Sequence, residues 1–183
     1  MRLFATAKWR CAVPWCGWRK ASRRKSPSCL VRALWSELTQ RHREIYGDPT
    51  IGGENPGDFF DAYLENANLR GPWVAELVGK VVGLGGLIVN GEEAEVEPLV
   101  VSSQHRFKGS GRALLNTVVQ EAGTAGVRFL SVRPVARNIE AISFFVQAGF
   151  DIVGHIDLFQ DLSGSTAREW KPGIEIHGQD LRY

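Results

Sequence analysis

The residues best placed to do chemistry lie in a short glycine-containing loop between an apolar strand and a helix. In the stretch EPLVVSSQHRFKGSGR, residues 97–112, Arg106 is followed by Gly109 and Gly111, and a helical pattern starts directly behind them. Backbone N–H groups at a helix N-terminus point the same way, and with the helix dipole they bind phosphate or pyrophosphate. Glycine suits such a turn because a Cβ would hold the anion away or block the backbone angles that the loop needs. The loop therefore predicts an anion-binding site.

The elements around this loop alternate between helical and strand patterns. Apolar periodicity predicts helices over residues 28–45, 58–67, 111–126 and 138–148, with Asp58 as the expected cap of the second. Runs rich in β-branched residues predict strands over 73–79, 81–91, 94–101 and 128–136, a strand over 150–162 that closes the main sheet, and a short strand over 173–178. The strand and helix order over 94–162 predicts an α/β sheet with helical crossovers.

Two strands of this set carry residues that disturb regular pairing. Pro98 cannot donate a ladder hydrogen bond, so it predicts a bulge that opens the sheet beside the anion loop. Gly83, Gly85 and Gly86 predict a bulge or a close backbone approach in the neighbouring strand.

Composition favours one domain with an unusual N-terminal extension. The 183 residues, 44% of them hydrophobic, can bury one sizeable core. The sequence has no run of 18 apolar residues, so it predicts no membrane-spanning helix. Residues 1–36 hold nine Lys or Arg and no acid, whereas the remainder is acidic. We divide the chain into a basic, Trp- and Cys-rich extension, 1–27, and a single domain, 28–183. We interpret the extension as a segment that does not conform to the globular sequence of the domain. The alternatives are an element docked on the domain and an arm that binds anions.

The cysteines predict neither a metal site nor a disulfide framework. Cys11, Cys16 and Cys29 all lie in the N-terminal segment, and the first 41 residues contain no His. Three thiols cannot all pair within one chain, so reduced cysteines in a cytoplasmic protein are expected.

Two linked signatures over residues 94–160 resemble the acetyl-CoA-binding half of the GCN5-related N-acetyltransferase (GNAT) superfamily. The first places Val101 five residues before Arg106-x-x-Gly109-x-Gly111. The second begins 27 residues past Gly111 and is Asn138-x-x-Ala141-x-x-x-Phe145-x-x-x-Gly149-Phe150. The resemblance implies the GNAT fold, a splayed, mixed and mostly antiparallel sheet of six or seven strands flanked by about four helices. It also implies that strands 94–101 and 128–136 part to admit acetyl-CoA.

The resemblance also implies which residues contact acetyl-CoA. Backbone groups of the strand would bind the pantetheine arm, and the loop amides would bind the pyrophosphate; these residues are Leu99, Val100, Val101, Arg106, Phe107, Lys108, Gly109, Ser110, Gly111 and Arg112. On the other side of the opening the contacts would come from Asn138, Ala141, Phe144 and Phe145. Asn138 could instead cap its helix, and the two phenylalanines could be core residues.

The implied chemistry is acetyl transfer to an amine, which needs a base because most amines are protonated at neutral pH. Related acetyltransferases place a glutamate at one of two positions, which here are Glu97, our first candidate, and Glu95, our second. The two share a face with Leu99 and Val101 if strand alternation holds through Pro98. One or both could instead be exposed strand carboxylates.

One position departs from the family pattern. Phe145 stands where a tyrosine often protonates the leaving thiolate, and a phenyl ring cannot donate a proton. Ser143, water or solvent would replace it. Two functions are therefore carried forward: an N-acetyltransferase acting on a primary amine of a small molecule or peptide, and a CoA-binding regulatory module with little or no turnover. We expect neither a membrane nor a nucleic-acid partner, and residues 174–177 could pair between subunits of a homodimer.

Overall fold

The computed structural model describes residues 10–11, 27–78, 80–162 and 169–183. The expected extension, 1–27, therefore lies almost wholly outside the described residues. Of that segment, the backbone of Arg10–Cys11 forms a two-residue strand, β1, and Pro27 begins the first helix.

Among the described residues, the main sheet has five strands in sequential order and is mixed, as the resemblance implies. After β1 come β2 (Leu69–Leu77), β3 (Lys80–Asn90), β4 (Glu93–Val101) and β5 (Phe129–Ser131). Neighbours from β1 to β4 are antiparallel, and β4 pairs with β5 in parallel. The predicted count of six or seven strands in this sheet is not confirmed.

Four α-helices occur in the described residues, close to their predicted positions, and a short 3-10 helix, Ser103–His105, follows β4. The four α-helices are α1 (Pro27–Tyr46), α2 (Pro56–Leu64), α3 (Ser110–Thr124) and α4 (Ile139–Val146). The predicted cap of α2 is wrong, because Asn55 is the N-cap and Asp58 lies in the first helical turn. Pro56 explains the earlier start, since its fixed φ and missing N–H suit the first helical position.

The sheet has an apolar core on each face. On one face, Leu114, Leu115 and Val118 of α3 are essentially inaccessible and pack on β3 and β4. On the other face, α1 and α2 cover Leu84 and Val100. This packing explains Gly83, because a Cβ there would lie 2.9 Å from Leu114 Cδ1, closer than real side chains come. The predicted close approach in β3 is therefore confirmed.

The expectation that residues 150–162 close the main sheet is wrong. Residues 150–162 form no strand, and their apolar side chains, including Ile152 and Phe159, are exposed. The predicted strand 128–136 is reduced to Phe129–Ser131. Pro134 lies in the lost part and has no N–H to donate. A strand needs a hydrogen-bonded neighbour. Residues 150–162 could pair only with the three residues of β5, which is too short to support a long strand.

The C-terminal tail forms a separate hairpin instead of a single short strand. It consists of β6 (Pro172–Ile176) and β7 (Gln179–Arg182), which are antiparallel. His177 and Gly178 both have positive φ, as a two-residue hairpin turn requires. Residues 174–177 are the segment expected to pair between subunits, and the first three of them pair here with β7 of the same chain.

In the described ranges, every helix falls short of the length or the apolarity that crossing a bilayer requires.

Candidate active site

A β-bulge in β4 lies at the centre of the candidate site. Leu87 of β3 is opposite Val96, whereas Gly85 is opposite Leu99. Gly86 alone therefore faces two residues of β4, Glu97 and Pro98, which is the arrangement of a bulge. The bulge predicted from Pro98 is confirmed. Gly86 is required here because a Cβ would lie 2.5 Å from the carbonyl oxygen of Glu97.

The bulge reverses the alternation of side chains along β4. Before it, Ala94 and Val96 pack in the α3-side core; after it, Leu99 and Val101 do so, and Val100 packs on the opposite core. By alternation from Ala94 and Val96, the carboxylates of Glu95 and Glu97 are directed to the α1–α2 side. The expectation that they share a face with Leu99 and Val101 is therefore wrong, because the extra residue shifts the parity by one.

Strands β4 and β5 part just beyond the last of their paired residues. Their pairing ends at Glu95 and Ser131, while β4 continues to Val101. The N–H of Ser102 donates to the carbonyl of Val82 across the β3–β4 ladder. Since antiparallel pairs alternate, the backbone groups of Leu99 and Val101 point away from β3 and toward the opening. The ladder between these two strands therefore stops six residues before the end of β4, as the implied parting requires.

The glycine turn forms the N-terminus of α3 next to this opening. Gly109 is the N-cap and has φ 89°, a conformation that favours glycine. The first backbone bond of the helix runs from the N–H of Ala113 to the carbonyl of Gly109. The preceding amides of Ser110, Gly111 and Arg112 therefore have no intrahelical acceptor.

One further feature of this turn favours the binding of an anion. The side chain of Ser110 is 1% exposed, and its Oγ has no hydrogen-bond partner among the described residues. A buried hydroxyl without a partner costs free energy, so its position at the helix start favours a ligand with acceptor oxygens. Packing does not require a glycine at position 111. A Cβ on Gly111 would make ordinary van der Waals contacts, 3.6 Å from Val101 Cγ2 and 3.7 Å from Phe144 Cζ.

The cationic and aromatic residues of the loop are distributed around the turn. The Nε of Arg106 donates to the carbonyl of Val101 at 3.1 Å, which joins the loop to the end of β4. Lys108 Nζ donates to the carbonyl of Gln104 at 2.9 Å, and Phe107 is 91% exposed. The Arg112 guanidinium lies 5.3 Å from the centroid of the Phe144 ring, a cation–π geometry.

The second signature begins at the N-cap of α4, and its aromatic residues pack on the α3-side core. The Oδ1 of Asn138 accepts from the N–H of Ala141 at 3.2 Å, so Asn138 caps α4, which was the alternative to cofactor contact. Phe144 and Phe145 pack edge to face at 5.3 Å, and Phe145 also contacts Phe150 at 5.8 Å. Both are half-buried against the α3-side core, as in the alternative that treats them as core residues.

The two candidate carboxylates have different environments. The side chain of Glu95 is 20% exposed, and its Oε2 lies 3.5 Å from Nη1 of Arg133. Burial raises the pKa of Glu95 above its usual value, the Arg133 guanidinium opposes this rise, and the nearby charge of Glu97 adds to it. Glu97 is exposed. The site therefore holds one partly buried carboxylate with a raised pKa and one that is open to solvent.

Tyr63 is a site residue that sequence analysis missed. It belongs to α2, is 8% exposed, and its hydroxyl donates to the Glu97 carbonyl at 2.6 Å. In the sequence, Tyr63 only contributes to the apolar periodicity that predicts the helix over 58–67. A phenol among apolar neighbours needs a hydrogen-bond partner, but nothing in the local pattern indicates a partner 34 residues away.

A family model decides what kind of protein carries this site. The model described as "Acetyltransferase (GNAT) family" matches residues 32–150, which is more than half of the chain and includes α3, the bulge and α4. The chain belongs to the GNAT acetyltransferase family.

Similar proteins agree with this assignment. N-acetyltransferase 8B of Rattus norvegicus is 32% identical over 103 residues, which cover 53% of this chain and 46% of the relative. N-acetyltransferase family 8 member 2 of the same species is 35% identical over 107 residues, or 54% of this chain and 46% of the relative. This GNAT chain thus spans about half the length of the curated relatives it matches.

Solved structures show the same fold at low sequence identity. The ribosomal-protein-S18-alanine N-acetyltransferase of Escherichia coli has a TM-score of 0.51 at 22% identity, covering 68% of this chain and 72% of its own. AAC(6')-Iy, solved with the bisubstrate analogue CoA-S-monomethyl-acetylneamine, has a TM-score of 0.56 at 14% identity, with coverage of 86% and 99%. These likenesses establish the GNAT fold of the present chain.

Proposed function

We propose that this protein is an N-acetyltransferase that moves an acetyl group from acetyl-CoA to a primary amine of a small molecule or peptide. Family membership supports acetyl transfer with acetyl-CoA as donor. The observation that carries the proposal for this chain is the opening between β4 and β5, which lies directly beside the amide-rich start of α3. An opening beside an anion site suits a ligand with an extended arm and a diphosphate.

The residues of the opening fit acetyl-CoA. We place the diphosphate on the first-turn amides of α3, where the Ser110 hydroxyl supplies a further donor. Arg106 and Lys108 add positive charge around the same turn. The pantetheine arm would align with Leu99 and Val101, whose backbone groups face the opening. On the other side, Phe144 and Phe145 would supply apolar surface, with Ala141 and Asn138 at the start of α4.

The carboxylates of β4 would remove the proton from the acceptor ammonium. Transfer breaks the thioester C–S bond and forms an amide C–N bond, and it requires the neutral amine. Glu97 remains our first candidate for the base because it stands at the bulge and is open to an incoming amine. Glu95 gains support from its partial burial and raised pKa, since a weakly acidic carboxyl is a stronger base. Two adjacent carboxylates also favour a cationic acceptor.

The remaining steps need a donor for the oxyanion and a proton for the leaving group. The N–H of Val101 points into the opening, which makes it our candidate to stabilise negative charge on the thioester oxygen. Phe145 cannot protonate the thiolate. Ser143, which is exposed on the same helix, or solvent would do so. Because a thiol pKa is about 8.5, the thiolate is a tolerable leaving group at neutral pH.

The proposal is tested by following free thiol release from acetyl-CoA with a panel of primary amines. We expect amine-dependent release that is lost in the Glu95→Gln, Glu97→Gln double variant but not in Glu175→Gln, a control in the C-terminal hairpin. Binding of acetyl-CoA without thiol release across a broad panel would support the non-catalytic CoA-binding module instead. The cytoplasmic location stays a prediction that cell fractionation tests.

A further inference from the structure

We propose that Tyr63 is a positioning residue for the cofactor-binding strand: its hydroxyl holds the Glu97 carbonyl and thereby fixes the bulge that orients Leu99 and Val101. The inference rests on the proposed function, in which the end of β4 binds the arm of acetyl-CoA.

The bulge creates a carbonyl that the sheet cannot satisfy, and Tyr63 supplies the missing donor. Gly86 of β3 faces both Glu97 and Pro98, so the backbone groups of one residue cannot pair with those of both residues. Pro98 has no N–H, which weakens the ladder further at this point. The 2.6 Å bond from the Tyr63 hydroxyl to the Glu97 carbonyl fills this gap from a different layer of the molecule.

The surroundings hold the Tyr63 hydroxyl in one place. The ring centroid of Tyr63 lies 5.2 Å from that of Trp35 and 6.1 Å from that of Phe60. A Cβ on Gly86 would overlap the Tyr63 hydroxyl, so the glycine makes room for this bond. Burial, with the charge of Glu97, raises the pKa of Tyr63 far above its usual value. The phenol therefore remains a donor at any pH used for assays.

Fixing the bulge matters because the residues beyond it depend on its register. If β4 lost the bulge and continued in regular register with β3, every residue beyond it would slip by one position and its side chain would change faces. Leu99 and Val101 would then turn backbone groups that now face the opening toward β3. The hydroxyl on α2 thus links the acceptor side of the sheet to the geometry of the cofactor side.

The experiment compares Tyr63→Phe with two controls by calorimetric titration of CoA and by steady-state kinetics. Loss of one net hydrogen bond corresponds to roughly a two- to tenfold change in an equilibrium constant, here the dissociation constant for CoA. We expect Tyr63→Phe to weaken CoA binding and raise the KM for acetyl-CoA by about that factor, with a smaller change in the KM for the amine. Tyr183→Phe, which removes a phenol hydroxyl in the hairpin, should leave both unchanged. Phe60→Leu, in the same aromatic group, reports the effect of loosening α2 alone.

Each outcome decides the matter at a temperature where circular dichroism shows every variant folded. Equal CoA affinity for Tyr63→Phe and the parent would overturn the inference. So would an equal loss in Phe60→Leu, because the effect would then be general packing. Gly86→Ala should weaken CoA binding, and its effect with Tyr63→Phe should be less than multiplicative since both break one bond; full multiplicativity would contradict us. A parent protein that binds CoA without thiol release refutes catalysis, yet the affinity comparison still tests Tyr63.

Discussion

The most informative perturbation of the anion turn is Gly109→Glu, compared with the same change at Gly126. The two glycines bracket α3, Gly109 at its start and Gly126 just past its end. Their φ values are 89° and 76°, and a Cβ added at either would meet nothing within 4 Å. The backbone strain of a side chain is therefore matched at the two sites. What differs is the position relative to the proposed diphosphate and to the helix dipole, which favours a carboxylate at the start of α3 and disfavours one past its end.

The expected magnitude follows from strain and charge. A non-glycine residue in the left-handed region costs about 1–2 kcal/mol, so both variants should lose unfolding free energy. The loss should be larger for Gly126→Glu, because the helix dipole opposes a carboxylate at the C-terminal end of α3. At Gly109 the new carboxylate would also repel the diphosphate. Two unit charges about 4 Å apart interact by about 1 kcal/mol in water and by about 4 kcal/mol at a dielectric constant of about 20. This range corresponds to a loss of CoA affinity between about fivefold and several hundredfold.

The assay is calorimetric titration with CoA at low and high salt, with thermal unfolding of each variant. Gly109→Glu should bind CoA more weakly than Gly126→Glu, and the gap should narrow at high ionic strength because salt screens exposed charges. Gly109→Ala should fall between Gly109→Glu and the parent. Equal affinities for Gly109→Glu and Gly126→Glu would refute the placement of the diphosphate at the start of α3.

Three further predictions concern the carboxylates and the core. Glu97→Gln should lower kcat at neutral pH by roughly ten- to a thousandfold, as expected for a general base; an unchanged rate and pH profile would transfer the role to Glu95, tested by Glu95→Gln. Arg133→Met should raise the pKa of Glu95 further, since the guanidinium now lowers it; if Glu95 is the base, the acidic limb of kcat/KM moves to higher pH, and an unmoved limb would argue against that role. Leu114→Ala should cost about 2–5 kcal/mol of unfolding free energy because Leu114 is 0% exposed between α3 and β3, and a loss below about 1 kcal/mol in urea unfolding would contradict the packing.

The parts of the site that the sequence predicted are those with local causes. The left-handed turn at Gly109 and the start of α3 follow from glycine spacing and helical periodicity within a few residues. The bulge follows from Pro98, which cannot take part in a regular ladder. The positive φ at Gly109 and the register shift opposite Gly86 confirm both.

The parts that were missed depend on contacts between distant segments. Whether Glu97 shares a face with Leu99 depends on how two residues fit opposite Gly86, which the strand alone does not specify. The partner of Tyr63 lies on another element. Residues 150–162 alternate like a strand, yet the short β5 gives them no neighbour to pair with. Asn55 replaced Asp58 as the cap of α2 because Pro56 starts the helix earlier.

The most direct test is amide hydrogen exchange with and without CoA. The account predicts slower exchange on CoA addition for the backbone amides of residues 99–101 and 107–112, and no change in the hairpin 172–182. Protection confined to other segments, or none at saturating CoA, would contradict the placement of the donor between β4, β5 and the start of α3.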